Sequence, residues 1–346
     1  MKELVLIVRR HISQRAAMAV LPAIIGFLPM PGGAIFSAPL VDDCDRQQDI
    51  SPVVKTQINY WFRHIWEYWW PLYPGVLLAI EISGLSTWQF MLLQFPFCLL
   101  SITRGYIFLL RKLPVAAGKS DGNRQRGDWR RLAWLLAPIA KVIILATLIK
   151  IFFPGLLQVS RFIPIAIGLC GAMGLLQFQR PLPWQKWRRA IFSQSTLNLV
   201  LVVLAIRIYG GFISGEVSDG VTLIDTMRKE LSQLGIPLVL IIMFIPFVTG
   251  FTTGIAIGFV GASFPIVFSL LGNDPTLSQL LAANVMAFGF GYMGMILSPV
   301  HVCLIVSNEH FKTRIAGSLK GLLPPAAIML LFTVCYYWVI KLIAAG

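Results

Sequence analysis

Five stretches of the sequence, 86–110, 132–153, 161–178, 190–210 and 322–343, are apolar over about the 20 residues that a helix needs to cross the hydrocarbon core of a bilayer. Two more, 52–80 and 277–306, are longer and interrupted, the first by charges among aromatic residues and the second by glycines. With 57% of its 346 residues hydrophobic and only 13% charged, the chain has more apolar surface than a soluble interior can bury. Soluble enzymes, disordered chains and secreted disulfide scaffolds are excluded on that ground. Cys44, Cys98, Cys170, Cys303 and Cys335 are odd in number, scattered and without a CxxC pair, so the sequence suggests neither a disulfide framework nor a metal site. The expectation is an all-α polytopic membrane protein.

The net charge of +14 sits in short loops between apolar stretches rather than on one face. Segments 1–15, 111–131, 179–189 and 308–320 hold 18 of the 29 basic residues, which is the pattern of positive-inside topology and not of nucleic-acid binding. All four share the cytoplasmic side only if 16–40 and 236–271, which are apolar but broken by Pro, Gly, Ser and Thr, enter and leave on one face as re-entrant hairpins. The resulting reading is a multi-pass protein of the inner (plasma) membrane with a cytoplasmic amino terminus. The net-acidic, amphipathic stretch 211–235 lies outside, and a homodimer is compatible with this layout.

That topology implies an internal symmetry. The order hairpin, long broken helix, plain helix occurs at 16–110 and again, inverted, at 236–343. LPMPGGAIFSAPLVD (28–42) parallels VTGFTTGIAIGFVGASFPIV (248–267), and Asn59 and Asn284 precede the breaks at Pro71 and Pro299. Inverted repeats with discontinuous helices belong to secondary transporters, because unwound backbone at membrane depth survives only where it is buried in protein or faces a cavity. Within a single membrane domain, 1–110 reads as the first repeat, 111–131 as a cytoplasmic basic linker and 132–346 as the second repeat.

PMPGGAIFSAPLVDD followed by NYWFRHIWEYWWPLYPG resembles the paired signature of an integral-membrane family catalogued as domain of unknown function 401. That family is placed in the ion transporter superfamily with gluconate, citrate and dicarboxylate permeases, arsenite pumps and sodium/proton antiporters. The resemblance covers essentially the whole chain and implies a transporter fold. It also implies extra apolar helices before the first hairpin, so the first repeat is expected to be shortened here.

The polar residues near the breaks are the candidate site. Arg63, His64 and Glu67 lie within about one helical turn. Arg63 is expected to meet the substrate's negative charge, and His64 or Glu67 to exchange a proton. Pro31, Gly32, Gly33 and Ser37 in the first break, and Thr252, Thr253 and Gly254 in the second, offer a backbone nest and hydroxyls to substrate. Asn59, Asn284 and Ser298 are further substrate contacts, and His301 a further titrating group. Each has a plainer alternative: Arg63 snorkelling beneath a belt of Trp61, Trp66, Trp69 and Trp70, the glycines packing helices closely, the asparagines bonding unwound backbone. No GxSxG, HExxH or Walker motif is present, so no enzyme, cofactor or ATP-driven pump is expected. The expected activity is secondary transport of a small, organic anion coupled to H+ or Na+. A cation/proton antiporter of the same superfamily and a non-transport membrane subunit are the alternatives.

Overall fold

The computed structural model describes residues 8, 12–30, 32–45, 48–111, 113, 127–160, 162–213, 215–218, 221–272 and 274–343. Pro31 and residues 112 and 114–126 of the basic linker 111–131 lie outside these residues. The chain divides into two compact units, one of residues 1–120 and 205–346 and one of residues 121–204.

The larger unit is built from two runs of similar order. The first comprises α1 (Gln14–Gly26), α2 (Ala34–Cys44), α3 (Pro52–Arg63), α4 (Pro74–Ser83) and α5 (Thr87–Gly105), the last continued by a π-helical turn to Leu110. Helix starts follow local chemistry. Ser13 and Ser51 accept from the first-turn amides of α1 and α3, Pro52 opens α3, and Ser86 with Gln89 forms a capping box on α5.

The smaller unit holds α6 (Gly127–Phe152), α7 (Leu156–Val159), α8 (Ile163–Gln179) and α9 (Trp184–Ile191). Gly168 and Gly171 let α8 approach Val142 and Leu145 of α6, so α6 and α8 form a hairpin. No residue of α9 is buried. Its Lys186, Arg188 and Arg189 lie between Trp184, Trp187 and Ile191, the composition of a helix lying in a headgroup layer. Helix α10 (Gln194–Ile213) belongs to this unit as far as Leu204 and to the larger one from Ala205.

The second run of the larger unit begins with a short antiparallel pair, β1 (Glu216–Ser218) and β2 (Val221–Thr222), a small departure from the all-α expectation within the net-acidic stretch 211–235. Helices α11 (Leu223–Gln233), α12 (Leu238–Thr253), α13 (Ala256–Ser269), α14 (Leu277–Ile296), α15 (Val302–Phe311) and α16 (Ile315–Ile343) follow. Thr222 with Asp225, and Thr276 with Gln279, repeat the capping box at α11 and α14.

Among the described residues, four helical stretches are long and apolar enough to span a bilayer: Thr87–Leu110, Trp184–Ile213, Leu277–Ile296 and Ile315–Ile343. The pair α11 and α12, bent by 117°, makes up to five. Their burial differs in a way that locates the core. The Trp184–Ile213 stretch is 6% buried, as a lipid-facing helix would be, whereas α14 is 78% buried and forms the axis of the larger unit. Helix α14 packs on α12, α13 and α16. A Cβ on Gly250 would collide with the backbone of Gly291, and one on Gly294 with the carbonyl of Phe247, so α12 and α14 touch backbone to backbone.

Candidate functional site

Both long helices near the axis stop short in the interior. Helix α3 ends at Arg63 and the chain resumes helical form only at Pro74; α14 ends at Ile296 and resumes at Val302. The last carbonyls of an interrupted helix lack intrahelical partners, and in a nonpolar interior they must find others. Here each break supplies the other. Tyr60 of α3 donates its hydroxyl to the carbonyl of Ile296 at 2.9 Å, and Tyr292 of α14 donates its hydroxyl to the carbonyl of His64. Each tyrosine lies four residues before the carbonyl at its own helix end, so the two caps are reciprocal.

The hairpin turns close onto these breaks. Each uses a glycine in the left-handed region, Gly32 at φ 68° and Gly254 at φ 63°, where a side chain is disfavoured. Arg63 donates to the carbonyl of Met30 at 2.7 Å, and its guanidinium occupies the space that a Cβ on Gly33 would need. On the other side, a Cβ on Gly254 would come within 2.9 Å of the His301 amide nitrogen, and Ser298 Oγ donates to Phe251 O at 2.6 Å. Each helix that leaves a hairpin turn meets one that leaves a break. The start of α2 faces the start of α15, with Gly32 beside Val302 and Cys303 against the backbone of Gly32 and Ala34; the start of α4 faces that of α13, where Gly75 abuts Ala256. Four helix amino ends, each with a positive partial charge, therefore adjoin the two breaks.

The breaks themselves join through two histidines. His64 Nε2 and His301 Nε2 are 3.1 Å apart. His64 Nδ1 is bonded to the carbonyl of Tyr60, so it carries the hydrogen and His64 Nε2 the lone pair. His301 Nε2 is then the donor of the pair, and His301 Nδ1 is a bare lone pair; it is buried and has no hydrogen-bond partner. Glu67 Oε1 lies 3.9 Å from both Arg63 Nη1 and His64 Nε2. The Tyr73 hydroxyl donates to Gly26 O and lies against both Arg63 and Glu67. Arg63 is 1% exposed, yet its Nε has no hydrogen-bond partner. A buried guanidinium with an unused donor, two paired imidazoles and a carboxylate make a site that can hold an anion and move a proton.

A family model described as "Protein of unknown function (DUF401)" matches residues 7–340. The chain belongs to the DUF401 family. No curated protein matches it.

In this DUF401 chain the expected site residues separate into those brought together and those held apart. Arg63, His64, Glu67, His301, Gly32, Gly33, Gly254 and Ser298 meet at the breaks. Pro31 is outside the described residues. Ser37 is buried but bonds back to Ala34 O. Thr252 and Thr253 donate to Val248 O and Thr249 O of their own helix, as Ser263 does to Phe259 O, so these hydroxyls are occupied locally. Asn59 donates to Ser307 and Asn284 accepts from Gln94, each bond tying two helices together, while Asn59 Oδ1 and Asn284 Nδ2 are buried without a partner.

Sequence reasoning passed over Tyr60, Tyr73, Tyr292 and Cys303. For the two capping tyrosines the only signal is a Tyr within an apolar stretch shortly before each interruption, in YWFRH and in YMGMI, and it does not mark where the helices end. His64, His301 and Cys303 converge with potential ligand atoms within 4.8 Å of one another. The scattered cysteines gave no hint of this, because His301 is 237 residues from His64.

Proposed function

We propose that this DUF401 chain is a secondary carrier for a small organic anion, coupled to H+ or Na+, with Arg63 as the anion contact and Glu67, His64 and His301 as the coupling groups. The carrying observation is Arg63 itself. A lone guanidinium in a nonpolar interior costs at least a few kcal/mol and is kept where it pairs or works. This one donates to the carbonyl of Met30, lies against the Tyr73 hydroxyl, keeps an unpartnered Nε, and has its carboxylate partner at 3.9 Å, beyond hydrogen-bond range. An arriving carboxylate completes the planar fork and competes with Glu67 for it, freeing Glu67 to take a proton. The adjoining helix amino ends favour the same sign of ligand.

We read the architecture as two inverted repeats, α1–α5 and α12–α16, each with a re-entrant hairpin. The support is reciprocity: Tyr60 with Tyr292, α2 on α15 with α13 on α4, and a left-handed glycine in each hairpin. The ion transporter superfamily and its permeases supply the analogy for substrate class.

The test uses purified protein in proteoliposomes, with radiolabelled citrate, succinate and gluconate outside and an imposed pH or Na+ gradient. At least one of these should accumulate, and Arg63→Lys should cut its uptake by about tenfold or more, since a charged hydrogen bond is worth about 1.5–3 kcal/mol. Normal uptake by both Arg63→Lys and Glu67→Gln would reduce the cluster to a structural anchor.

A further inference from the structure

His64, His301 and Cys303 are all buried and belong to two different helix breaks, yet their potential ligand atoms lie within 4.8 Å of one another. Typical metal–nitrogen and metal–sulfur bonds of about 2.0–2.3 Å place the ligands of a three-coordinate ion roughly 3.5–4 Å apart, so small side-chain adjustments suffice. One nitrogen is already available. His64 presents its Nε2 lone pair inward because its Nδ1 is tied to Tyr60 O, the arrangement that fixes the tautomer of ligating histidines. His301 needs one change: its proton moves from Nε2 to Nδ1. That nitrogen has no partner, and the backbone carbonyls of Gly254 and Met295 lie beside the ring to receive the hydrogen.

Charge decides which ion fits. The guanidinium of Arg63 and the carboxylate of Glu67 already balance, and Cys303 as a thiol is neutral. A divalent ion bound through the Cys303 thiolate leaves one net positive charge in the interior beside Arg63, and recruiting Glu67 as a fourth ligand takes away Arg63's counter-ion. Uncompensated buried charge is costly. A monovalent ion that replaces the thiol proton adds no net charge. Cys303 is the second residue of α15 and faces the backbone of Gly32 and Ala34 at the start of α2, whose amides point at its sulfur. Two imidazoles and a thiolate in a three-coordinate, buried setting select a soft ion.

We propose that His64, His301 and Cys303 form a binding site for one monovalent soft metal ion, Cu+ or its analogue Ag+. The exchange is balanced: the Cys303 S–H bond breaks, an S–Cu bond forms, and one proton leaves to solvent with no change of oxidation state. Because the ion bridges the two breaks, its occupancy pins α3 to α15. The site stands on this cluster alone; it shares His64 and His301 with the proposed coupling groups, so a bound ion would compete with proton exchange there, but its binding is measured without transport.

The test is equilibrium binding by the detergent-purified chain under anaerobic, reducing conditions, with Cu+ presented in a chromogenic chelator and no transport substrate present. One Cu+ should bind per chain with release of one proton, and X-ray absorption should report two nitrogens and one sulfur. Cys303→Ser and His301→Gln each remove a direct ligand and should weaken binding by at least the roughly 10–100-fold that loss of an outer-shell partner costs, while Cys98→Ser, a buried cysteine outside the cluster, should leave it unchanged. Unfolding profiles identify any variant that has lost its fold, and the absorption measurement on the wild-type chain needs no variant. A sulfur-only shell, binding retained within about twofold by Cys303→Ser, or displacement of Cu+ by equimolar Zn2+ would each overturn the proposal.

Discussion

Replacing Tyr60 or Tyr292 with Phe removes a single oxygen and keeps the ring, so it isolates the reciprocal caps from packing. Each hydroxyl is buried, and each bonds a carbonyl at a helix end: Ile296 O for Tyr60, at 2.9 Å, and His64 O for Tyr292. A typical internal hydrogen bond contributes about 1 kcal/mol net, but a buried carbonyl left without a donor costs about 1–3 kcal/mol. Lipid provides no substitute donor. Tyr60→Phe leaves Ile296 O without its donor and should lose about 1–3 kcal/mol of stability, whereas His64 O still accepts from the Glu67 amide at 3.1 Å, so Tyr292→Phe should lose only the net value of one bond, about 1 kcal/mol. SDS-titrated unfolding in mixed micelles, followed by the fluorescence of Trp66, Trp69 and Trp70 in the first break, reads both midpoint and slope. An unchanged slope with a shifted midpoint is the expected signature. A loss below about 0.5 kcal/mol in either variant, the size of an ordinary surface substitution, would refute the argument that each break is closed by the other's tyrosine.

Gly33 has a helical φ of −58°, so Gly33→Ala adds no backbone strain, but its Cβ would displace the Arg63 guanidinium; the variant should fold and lose Arg63-dependent transport in proteoliposomes. Gly32→Ala should do the reverse: at φ 68° with Val302 3.6 Å away it has room but the wrong backbone, so about 1–2 kcal/mol of stability is lost. The Asp225 carboxylate, hydrogen-bonded by the Thr222 side chain and amide and next to Arg228, is held below the usual carboxylate range. A lowered value in the fold means that its stabilisation is complete above about pH 4 and is lost as pH falls through the folded value; hydrogen exchange of α11 amides should show that fall in the wild type and a flat profile in Asp225→Asn. With Cys170 and Cys335 replaced, an impermeant maleimide added outside should label Ser218→Cys and spare Lys186→Cys; the opposite pattern would invert the topology.

The helices were legible because a bilayer-length apolar run needs no tertiary information. The stretch 86–110 became Thr87–Leu110, and 190–210 became Gln194–Ile213. Glycine and proline also marked the interruptions correctly, since PMPGG and the TTG of α12 both end in turns with a left-handed glycine. The alignment between the runs was less legible. Counting back from proline pairs Asn59 with Asn284, but proline does not set where these helices end. Pro71 falls eight residues past Arg63, whereas Pro299 falls three past Ile296. The helix ends are set instead by who caps them, and the caps come from residues more than 200 positions away, which aligns Tyr60 with Tyr292. The local bonds of the threonines near Gly254 were not legible either. A hydroxyl in a helix takes the carbonyl one turn back when nothing better is in reach, and Thr249, Thr252 and Thr253 all do so.

The same logic explains why the chemistry gathers where it does. A helix that stops inside a nonpolar interior creates unpaired carbonyls, and the least costly remedy is a donor from a second helix stopped at the same level. Two breaks that cap each other must be adjacent, so the residues just past each end are forced together whatever their distance along the chain. His64 is the first residue after α3 and His301 the last before α15. Their contact at 3.1 Å follows from the reciprocal tyrosine caps rather than from any pairing visible between NYWFRH and SPVHVC. Cys303 arrives with His301, and Arg63 with His64. On this reasoning the site is a consequence of broken-helix geometry: Tyr60→Phe together with Tyr292→Phe should loosen the His64–His301 contact itself, which histidine ring NMR shifts would register as loss of the shared Nε2 hydrogen.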